Sequence, residues 1–409
     1  MEFVKIVFFL WGIIIISADL KVTIYPYIHW IAFFIMIFPI IVCKLLTKKI
    51  VLNIPYYCIA CFFLITIICN GWVSSNPETM IQYVKLFFIF LTTLFFLGEY
   101  RYSLYVWQGF VFAVILNFVL LFLGVYFNFN TAYLLTSDGR WGTLLNYPGS
   151  LVKVGLVSLL FFSFTAILLK GWNKIIAITF IIMSIFIITY DGSRTGLLLC
   201  GVLFLILSIS LLFEKKYIRY FQIKLFFTLN IISLGTIILI PKILQFSTSR
   251  LGKLFTNLNA KGFIDGLRAS DPTRFEMLIA AVENIKRHPI IGNGVFETTY
   301  LVDGKPMVVH NTYLQIWGDF GVLSTISYIA LTFFWLFLIP KRTRLVVKQE
   351  NIKYKALYYN SIFLLIYFNI NGLFHPISTE FSEWILFIIP FSIVYNIKKI
   401  MDEEDRQLL

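Results

Sequence analysis

Apolar segments long enough to cross a lipid bilayer recur along the whole chain, and this feature restricts the fold more than any other. A membrane barrel would instead show short alternating segments. A transmembrane helix needs about 20 mostly apolar residues, and the sequence predicts an all-α polytopic membrane protein with about twelve transmembrane helices. The expected spans lie near residues 3–18, 23–43, 51–69, 82–98, 104–125, 150–168, 173–190, 197–213, 225–241, 311–339, 356–372 and 382–397.

The charge content supports a membrane protein and argues against a nucleic-acid partner. Charged residues make up 13% of the 409 residues, whereas a globular chain has roughly a quarter. A net charge of +13 would suggest nucleic-acid binding in a soluble protein. In membrane proteins, however, lysine and arginine accumulate in the cytoplasmic loops. We therefore expect the membrane, and no nucleic acid, as a partner.

Basic residues are concentrated in alternate loops between the expected spans, and this pattern predicts the orientation. Residues 70–80 and 371–383 contain no lysine or arginine. The positive-inside rule then places both termini in the cytoplasm. We expect one transmembrane domain, residues 1–409, with a long periplasmic loop, residues 242–310, between spans nine and ten. The basic residues after even-numbered spans include Lys44, Lys48, Lys49, Arg101, Lys170, Lys174, Lys215, Lys216, Arg219, Lys224, Lys341, Arg342, Arg344, Lys348, Lys398 and Lys399.

The long outer loop contains the pattern of an amphipathic helix. Asp271 followed by Pro272 is typical of a helix start, because aspartate caps and proline suits the first turn. Pro289 should end the helix. The sequence therefore predicts a helix over residues 272–287, with Arg274 in its first turn and an apolar side against the outer membrane surface. The apolar residues at helical spacing are Phe275, Leu278, Ile279, Val282 and Ile285.

Three isolated arginines fall in the expected outer loops, where basic residues are otherwise scarce. Arg140 follows Asp138-Gly139, Arg194 lies in the glycine turn 191–196, and Arg274 lies in the long loop. The planar guanidinium binds phosphate oxygens in bidentate fashion. Arginines converging at a membrane surface would suit the diphosphate of a lipid, although each could also be an interfacial anchor.

The histidines suggest proton transfer rather than metal binding. The four histidines are far apart and have no paired carboxylates at ligand spacing, and no nucleotide or dinucleotide motif is present. We therefore expect no metal and no cofactor. His310, followed by Asn311 and Tyr313 at the start of a span, could accept a proton from a hydroxyl or could belong to a polar interfacial belt. The others, His29, His288 and His375, are interpreted as structural.

The order of these motifs resembles that of the O-antigen ligase and polymerase superfamily. The resemblance concerns topology over the whole chain, but its sequence content lies in about 190–330. The ending Gly321–Thr325 is similar to the ligase signature, with Ser324 where threonine is common. The motifs are, in chain order, Ser193-Arg194-Thr195-Gly196, Arg274, Pro289-x-x-Gly292-x-Gly294 and His310-Asn311-x-Tyr313-Leu314.

The resemblance implies glycan transfer from undecaprenyl diphosphate on the periplasmic side of the bacterial inner membrane, without metal or nucleotide. A ligase would use lipid A-core as acceptor, and a polymerase would use a second lipid-linked glycan. Arg194 and Arg274 would bind the donor diphosphate, with Arg140 as a further candidate. His310 would activate or orient the acceptor hydroxyl, supported by Asn311 and Tyr313.

Three functions remain open at this point. The ending Gly321–Thr325 favours a ligase, whereas the composition rich in Phe, Ile and Tyr and the Ser-Arg-Thr-Gly turn also suit a polymerase. A flippase for the same lipid-linked sugar could likewise have twelve spans. Transporters commonly show internal repeats or charges at the membrane midplane. This chain has no repeat between its halves, and its distinctive polar residues lie in outer loops, so transfer is favoured over transport.

Overall fold

The computed structural model describes residues 2–47, 54–71, 77–98, 100–134, 140–168, 171–212, 256–257, 259–348 and 352–407. The described part is predominantly helical, with two short β-hairpins. The predicted ninth span, residues 225–241, lies outside it. Each of the other predicted spans coincides at least in part with a helix.

The first half of the described chain contains ten helices and one hairpin. The hairpin pairs β1 (Ala132–Leu134) with β2 (Trp141–Thr143) in antiparallel fashion. A π-helical segment, Phe33–Ile37, joins α3 to α4. The helices are α1 (Glu2–Ile16), α2 (Leu20–Thr23), α3 (Ile28–Ala32), α4 (Phe38–Leu46), α5 (Ile54–Gly71), α6 (Pro77–Gly98), α7 (Tyr100–Phe127), α8 (Leu151–Leu168), α9 (Trp172–Asp191) and α10 (Arg194–Leu212).

The second half contains six more described helices and a second hairpin. The hairpin pairs β3 (Thr299–Val302) with β4 (Lys305–Val308), also antiparallel. A short 3-10 helix, Phe334–Phe337, follows α13. The helices are α11 (Phe263–Ser270), α12 (Pro272–Arg287), α13 (Thr312–Phe333), α14 (Ile339–Lys348), α15 (Ile352–Gly372) and α16 (Phe381–Gln407).

Six helical stretches in the described ranges are long and apolar enough to cross a membrane, which agrees with a helical membrane protein. The count of twelve spans, the placement of the termini and the periplasmic location of the long loop remain predictions. The six stretches are Ile28–Leu46, Met80–Leu97, Tyr100–Phe127, Trp172–Asp191, Thr312–Lys348 and Phe381–Asp402.

Helix α16 lies at the centre of the helical bundle. Within its membrane-length stretch 78% of the residues are buried, compared with 17–39% in the other five, and it contacts α6, α7 and α15. Near its start, Glu383 pairs with the buried Lys153 of α8 at 2.8 Å. Removing one partner of a buried ion pair costs about 3–5 kcal/mol, so this pair fixes the ends of α8 and α16 beside each other.

The predicted helix over residues 272–287 is confirmed as α12. The carboxylate of Asp271 accepts a hydrogen bond from the backbone N–H of Arg274, as expected of an N-cap. The buried side of α12 consists of Met277, Ala281 and Ile285. Leu278, Ile279 and Val282, which the sequence pattern placed on the apolar face, are exposed, and the predicted contact with the membrane surface would cover them. Neither α11 nor the β3–β4 hairpin was predicted.

Candidate active site

Arg140 is held against the turn between α9 and α10. Its Nε donates a hydrogen bond to the backbone oxygen of Asp191 at 2.9 Å, and its Nη2 lies 3.4 Å from the Asp191 carboxylate. That carboxylate is buried and also accepts hydrogen bonds from the backbone N–H groups of Gly149 and Val152. Gly192 has a φ of 62°, which favours glycine. Asp191 therefore fixes both the loop before α8 and the position of Arg140.

Arg194 begins α10 directly after this turn. The hydroxyl of Ser193 accepts a hydrogen bond from the backbone N–H of Gly196 at 3.2 Å, which is the contact of a helix N-cap. The side chain of Arg194 itself lies outside the described part. Because the stem of Arg140 packs beside Gly192, the fold brings Arg140 to the same turn that carries Arg194.

Arg274 stands at the first turn of α12 and is partly exposed. Its Nε forms an ion pair with Asp271 at 3.6 Å, and 37% of its side chain is accessible. A half-exposed pair at this distance contributes little stability, since exposed ion pairs are worth about 0–1 kcal/mol. The guanidinium can therefore exchange part of this contact for a stronger one with a phosphate group.

His310 connects the β3–β4 hairpin to α13. Its Nδ1 is buried and has no hydrogen-bond partner among the described residues. Burial lowers the pKa of His310 below 6.5, and the positive charge of Arg274 lowers it further, while Asp271 opposes the change. The ring is therefore neutral near pH 7, the form that can accept a proton.

His375, interpreted from the sequence as structural, lies beside His310. The two ring centroids are 6.1 Å apart. Burial is the main cause that lowers the pKa of His375 to about 4, and the charges of Arg274, His310, Arg140 and Lys153 lower it further. His375 is thus within electrostatic range of cations from three separate parts of the chain. Its position in a short outer loop was the only signal of this in the sequence.

Thr312, which the sequence analysis did not single out, joins the loops of the two histidines. Its hydroxyl donates a hydrogen bond to the backbone oxygen of His375 at 2.7 Å and accepts one from the backbone N–H of Ile377 at 2.8 Å. The threonine is fully buried. The start of α13 and the loop between α15 and α16 are therefore fixed to each other at the histidines.

Asn311 and Tyr313 hold the start of α13 through contacts with the helix itself and with α15. The carboxamide oxygen of Asn311 accepts a hydrogen bond from the backbone N–H of Leu314 at 3.0 Å and caps the helix. The Tyr313 hydroxyl lies 3.0 Å from the side-chain oxygen of Asn369 on α15. Both residues thus set the position of α13, and their supporting role at the site stays a prediction.

The glycines of the Pro289–Gly294 motif allow this loop to approach α13 very closely. A Cβ at Gly292 would collide with the backbone of Asp319, and one at Gly321 would collide with the backbone of Ile290. Gly321 has a φ of 81° and interrupts α13. Two backbone hydrogen bonds, Asn293 N–H to the oxygen of Gly318 and Val322 N–H to the oxygen of Pro289, close the contact at 2.8 and 3.0 Å.

Asp319, a second residue that the sequence analysis missed, completes the attachment of the long loop that precedes α13. Its carboxylate is fully buried. It accepts hydrogen bonds from the backbone N–H groups of Phe296 and Thr298 at 3.1 and 2.9 Å, and from the side chain of Gln315 at 3.4 Å. The stretch between α12 and β3 is therefore held on α13, which in turn positions His310.

The described members of the site combine cations with neutral imidazoles. Arg140 and Arg274 carry positive charge that could neutralise a diphosphate; both act electrostatically on His375, and Arg274 also acts on His310. Such a set can stabilise a departing anion and accept a proton. The catalytic and binding roles of the individual residues remain proposals.

Residues 178–329 match the family model described as O-antigen ligase. The match contains the Arg194 turn, Arg274, the glycine motif and His310, and it excludes Arg140 and His375. A search of curated proteins found no match. The family match confirms, over residues 178–329, the resemblance to the O-antigen ligase and polymerase superfamily that the motifs indicate.

Proposed function

We propose that this protein transfers a glycan from an undecaprenyl-diphosphate-linked donor to a sugar hydroxyl on the periplasmic face of the bacterial inner membrane. The observation that supports this most is His310, whose Nδ1 has no hydrogen-bond partner among the described residues and whose pKa is lowered by burial and by the charge of Arg274, inside the segment that matches the family. A neutral imidazole accepts a proton, and guanidinium groups stabilise a phosphate leaving group.

The reaction would proceed by displacement at the anomeric carbon of the donor sugar. The acceptor hydroxyl oxygen forms the new bond to this carbon as its proton passes to His310. The bond between the anomeric carbon and the diphosphate oxygen breaks, and its electron pair leaves with the diphosphate. Arg194, Arg274 and Arg140 compensate the negative charge that develops there. His310 subsequently releases its proton to water or to the diphosphate.

The first prediction tests this assignment with matched variants. His310→Ala should lower transfer by about 10²–10⁴-fold, the usual range for loss of a general base, and Arg274→Ala should also abolish most of it. Transfer is measured in membranes supplied with lipid-linked donor and acceptor. His288→Ala and Arg287→Ala are the controls, since both residues are exposed at the end of α12. Full transfer by His310→Ala and Arg274→Ala would reject the assignment.

Ligase activity on lipid A-core is our preferred form of this function, and polymerase activity on a second lipid-linked glycan is the alternative. The ligase is favoured by the Gly321–Thr325 signature, although Gly321 also has the packing role described above. A surface-glycan gel of a deletion strain separates the two. Loss of all polymer from the core would indicate a ligase, and a core with a single repeat unit would indicate a polymerase.

A further inference from the structure

A cavity of about 280 Å³ is lined by residues that lie near His310 and His375 in the chain, although neither of these two histidines lines it. Its wall comes from four parts of the chain: the segment after α1, helix α6, the stretch around the β3–β4 hairpin, and the loop between α15 and α16. Pro376, directly after His375, and Val308, two residues before His310, both contribute. The cavity is therefore adjacent to the candidate active site.

The polar side of this cavity contains two groups that lack a hydrogen-bond or ion-pair partner among the described residues. Lys85 of α6 forms no ion pair with any described residue, although Glu380 and Lys21 act on it electrostatically. One turn earlier, the side-chain oxygen of Gln82 is buried and has no hydrogen-bond partner among the described residues. Glu380 is occupied by Lys21 at 2.7 Å. Unsatisfied polar groups in a membrane span are costly, and they usually indicate a functional site.

The opposite side of the cavity is aromatic. The rings of Trp30 and Phe381 lie 4.4 Å apart between centroids, and Tyr27 and Phe296 also line the wall. Aromatic rings pack well against the apolar C–H face of a pyranose, while amide and charged groups bind its oxygens. The cavity thus has an aromatic side that suits the apolar face of a sugar and a polar side that suits its oxygen atoms.

The size of the cavity limits what it can hold. Ligand pockets in proteins commonly span roughly 300–1,000 Å³, so about 280 Å³ suits a single monosaccharide better than a lipid chain or an oligosaccharide. The ammonium group of Lys85 favours a sugar that carries a negative charge. A uronic acid or a phosphorylated hexose meets both conditions.

We propose that this cavity binds an acidic monosaccharide unit and that this unit belongs to the acceptor glycan. Its place beside His310 would hold the acceptor while the arginines hold the donor. The identification of the ligand as acceptor rests on the proposed function. The binding of an acidic sugar does not, because it follows from the cavity alone.

Ligand-detected NMR on the purified full-length protein tests the binding directly, with glucuronate, glucose and inorganic phosphate as probes. Glucuronate should give a saturation-transfer signal that falls at least about fivefold in Lys85→Met and in Gln82→Leu. Lys174→Met, a change at an exposed lysine in the first turn of α9, should leave the signal unchanged, and Lys85→Arg should retain most of it. An unchanged glucuronate signal in Lys85→Met would overturn the proposal. Inorganic phosphate that displaces glucuronate completely would show a general anion site and would also overturn it.

A transfer assay then tests the acceptor role. Lys85→Met should raise the KM for an acidic acceptor about tenfold, with the KM for the lipid-linked donor unchanged. An unchanged acceptor KM would reject the acceptor role. His310→Ala should still bind glucuronate, because His310 does not line the cavity. If the wild-type protein transferred no glycan, the proposed function would fail while the binding result stood, whereas full transfer by His310→Ala would reject only the catalytic role of His310. If His310 proved essential and glucuronate did not bind, only this inference would fail. Elution profiles and unfolding temperatures of all variants confirm folding.

Discussion

Thr312 shows how one side chain can hold two distant loops at the candidate site. Its hydroxyl contacts residues 63 and 65 positions later in the chain. Sequence patterns find residues whose partners are near in the chain, as with Asp271 and Arg274, because local spacing determines those contacts. They do not find a threonine whose partners come from another loop. His375 was missed for the same reason.

The second prediction concerns this hydroxyl. Thr312→Val keeps the shape of the side chain but removes the hydroxyl that bonds both the oxygen of His375 and the N–H of Ile377, so that these two groups keep only their bond to each other at 3.0 Å. The loss of each of the two hydrogen bonds to the hydroxyl costs about 0.5–1.5 kcal/mol, so the unfolding temperature in detergent and the rate of transfer should both fall. Thr312→Ser, which retains the hydroxyl, should behave much more like the wild type. Equal stability of the valine and serine variants would contradict the bridging role.

The third prediction concerns the pH dependence of transfer. Burial and the charge of Arg274 lower the pKa of His310 below 6.5. Protonated His310 cannot act as a base, so transfer is lost as the pH falls through its pKa. A lower pKa moves this loss of transfer to lower pH. Transfer should therefore persist at pH 6.5, and the acid limb of kcat/KM should lie below this value. Initial rates between about pH 5 and about pH 8 measure it, with His288→Ala as control. An acid limb above pH 6.5 would contradict a His310 base in this environment.

At the scale of elements, the Pro289–Gly294 loop and the kinked helix α13 form one packed unit. The sequence analysis recognised its glycines as motif residues. The structure explains why glycine is needed there, because the two backbones approach each other too closely for a side chain. The β3–β4 hairpin was not predicted, because its strands are only four residues each and too short for a clear alternating pattern. Helix α12 was predicted with its bounds because the cap, the proline and the apolar spacing are all local signals.

The fourth prediction separates steric collision from backbone strain in this unit. Gly292→Ala and Gly321→Ala place a methyl group against backbone atoms, whereas Gly304→Ala meets open space at a similar φ of 75°. Overpacking costs roughly 1–3 kcal/mol in addition to the strain that all three share. The first two variants should therefore unfold at clearly lower temperature than Gly304→Ala. Equal unfolding temperatures for the three variants would contradict the close backbone contact between the Pro289–Gly294 loop and α13.

At the scale of the whole molecule, the orientation in the membrane is the prediction with the most consequences. Six helical stretches among the described residues are long and apolar enough to cross a bilayer, and the charge pattern predicts which side each connection faces. The Arg140, Arg274, His310 and His375 side chains all belong to connections on the same predicted side. A reversed orientation would place the candidate site in the cytoplasm, away from the proposed donor glycan.

The fifth prediction tests this orientation with two single cysteines in a chain whose five native cysteines are replaced. Lys305→Cys, in the exposed β3–β4 hairpin, should react with a membrane-impermeant maleimide in cells with a permeabilised outer membrane. Lys348→Cys, at the end of α14, should react only after lysis. Both lysines are exposed, so burial does not explain a difference. Labelling of Lys348→Cys in intact cells, or protection of Lys305→Cys, would contradict the assigned orientation.

The sequence by itself determined the class of protein, the helix over 272–287, the resemblance to the superfamily over residues 178–329 and four of the residues that the site is proposed to use, Arg140, Arg194, Arg274 and His310. These follow from composition, local periodicity and short motifs, which need no knowledge of distant contacts. Only the tertiary structure revealed that His375 lies beside His310, that Thr312 and Asp319 fix the loops, and that a cavity with Lys85 adjoins them. Those relations join residues far apart in the chain, and long-range packing alone decides them.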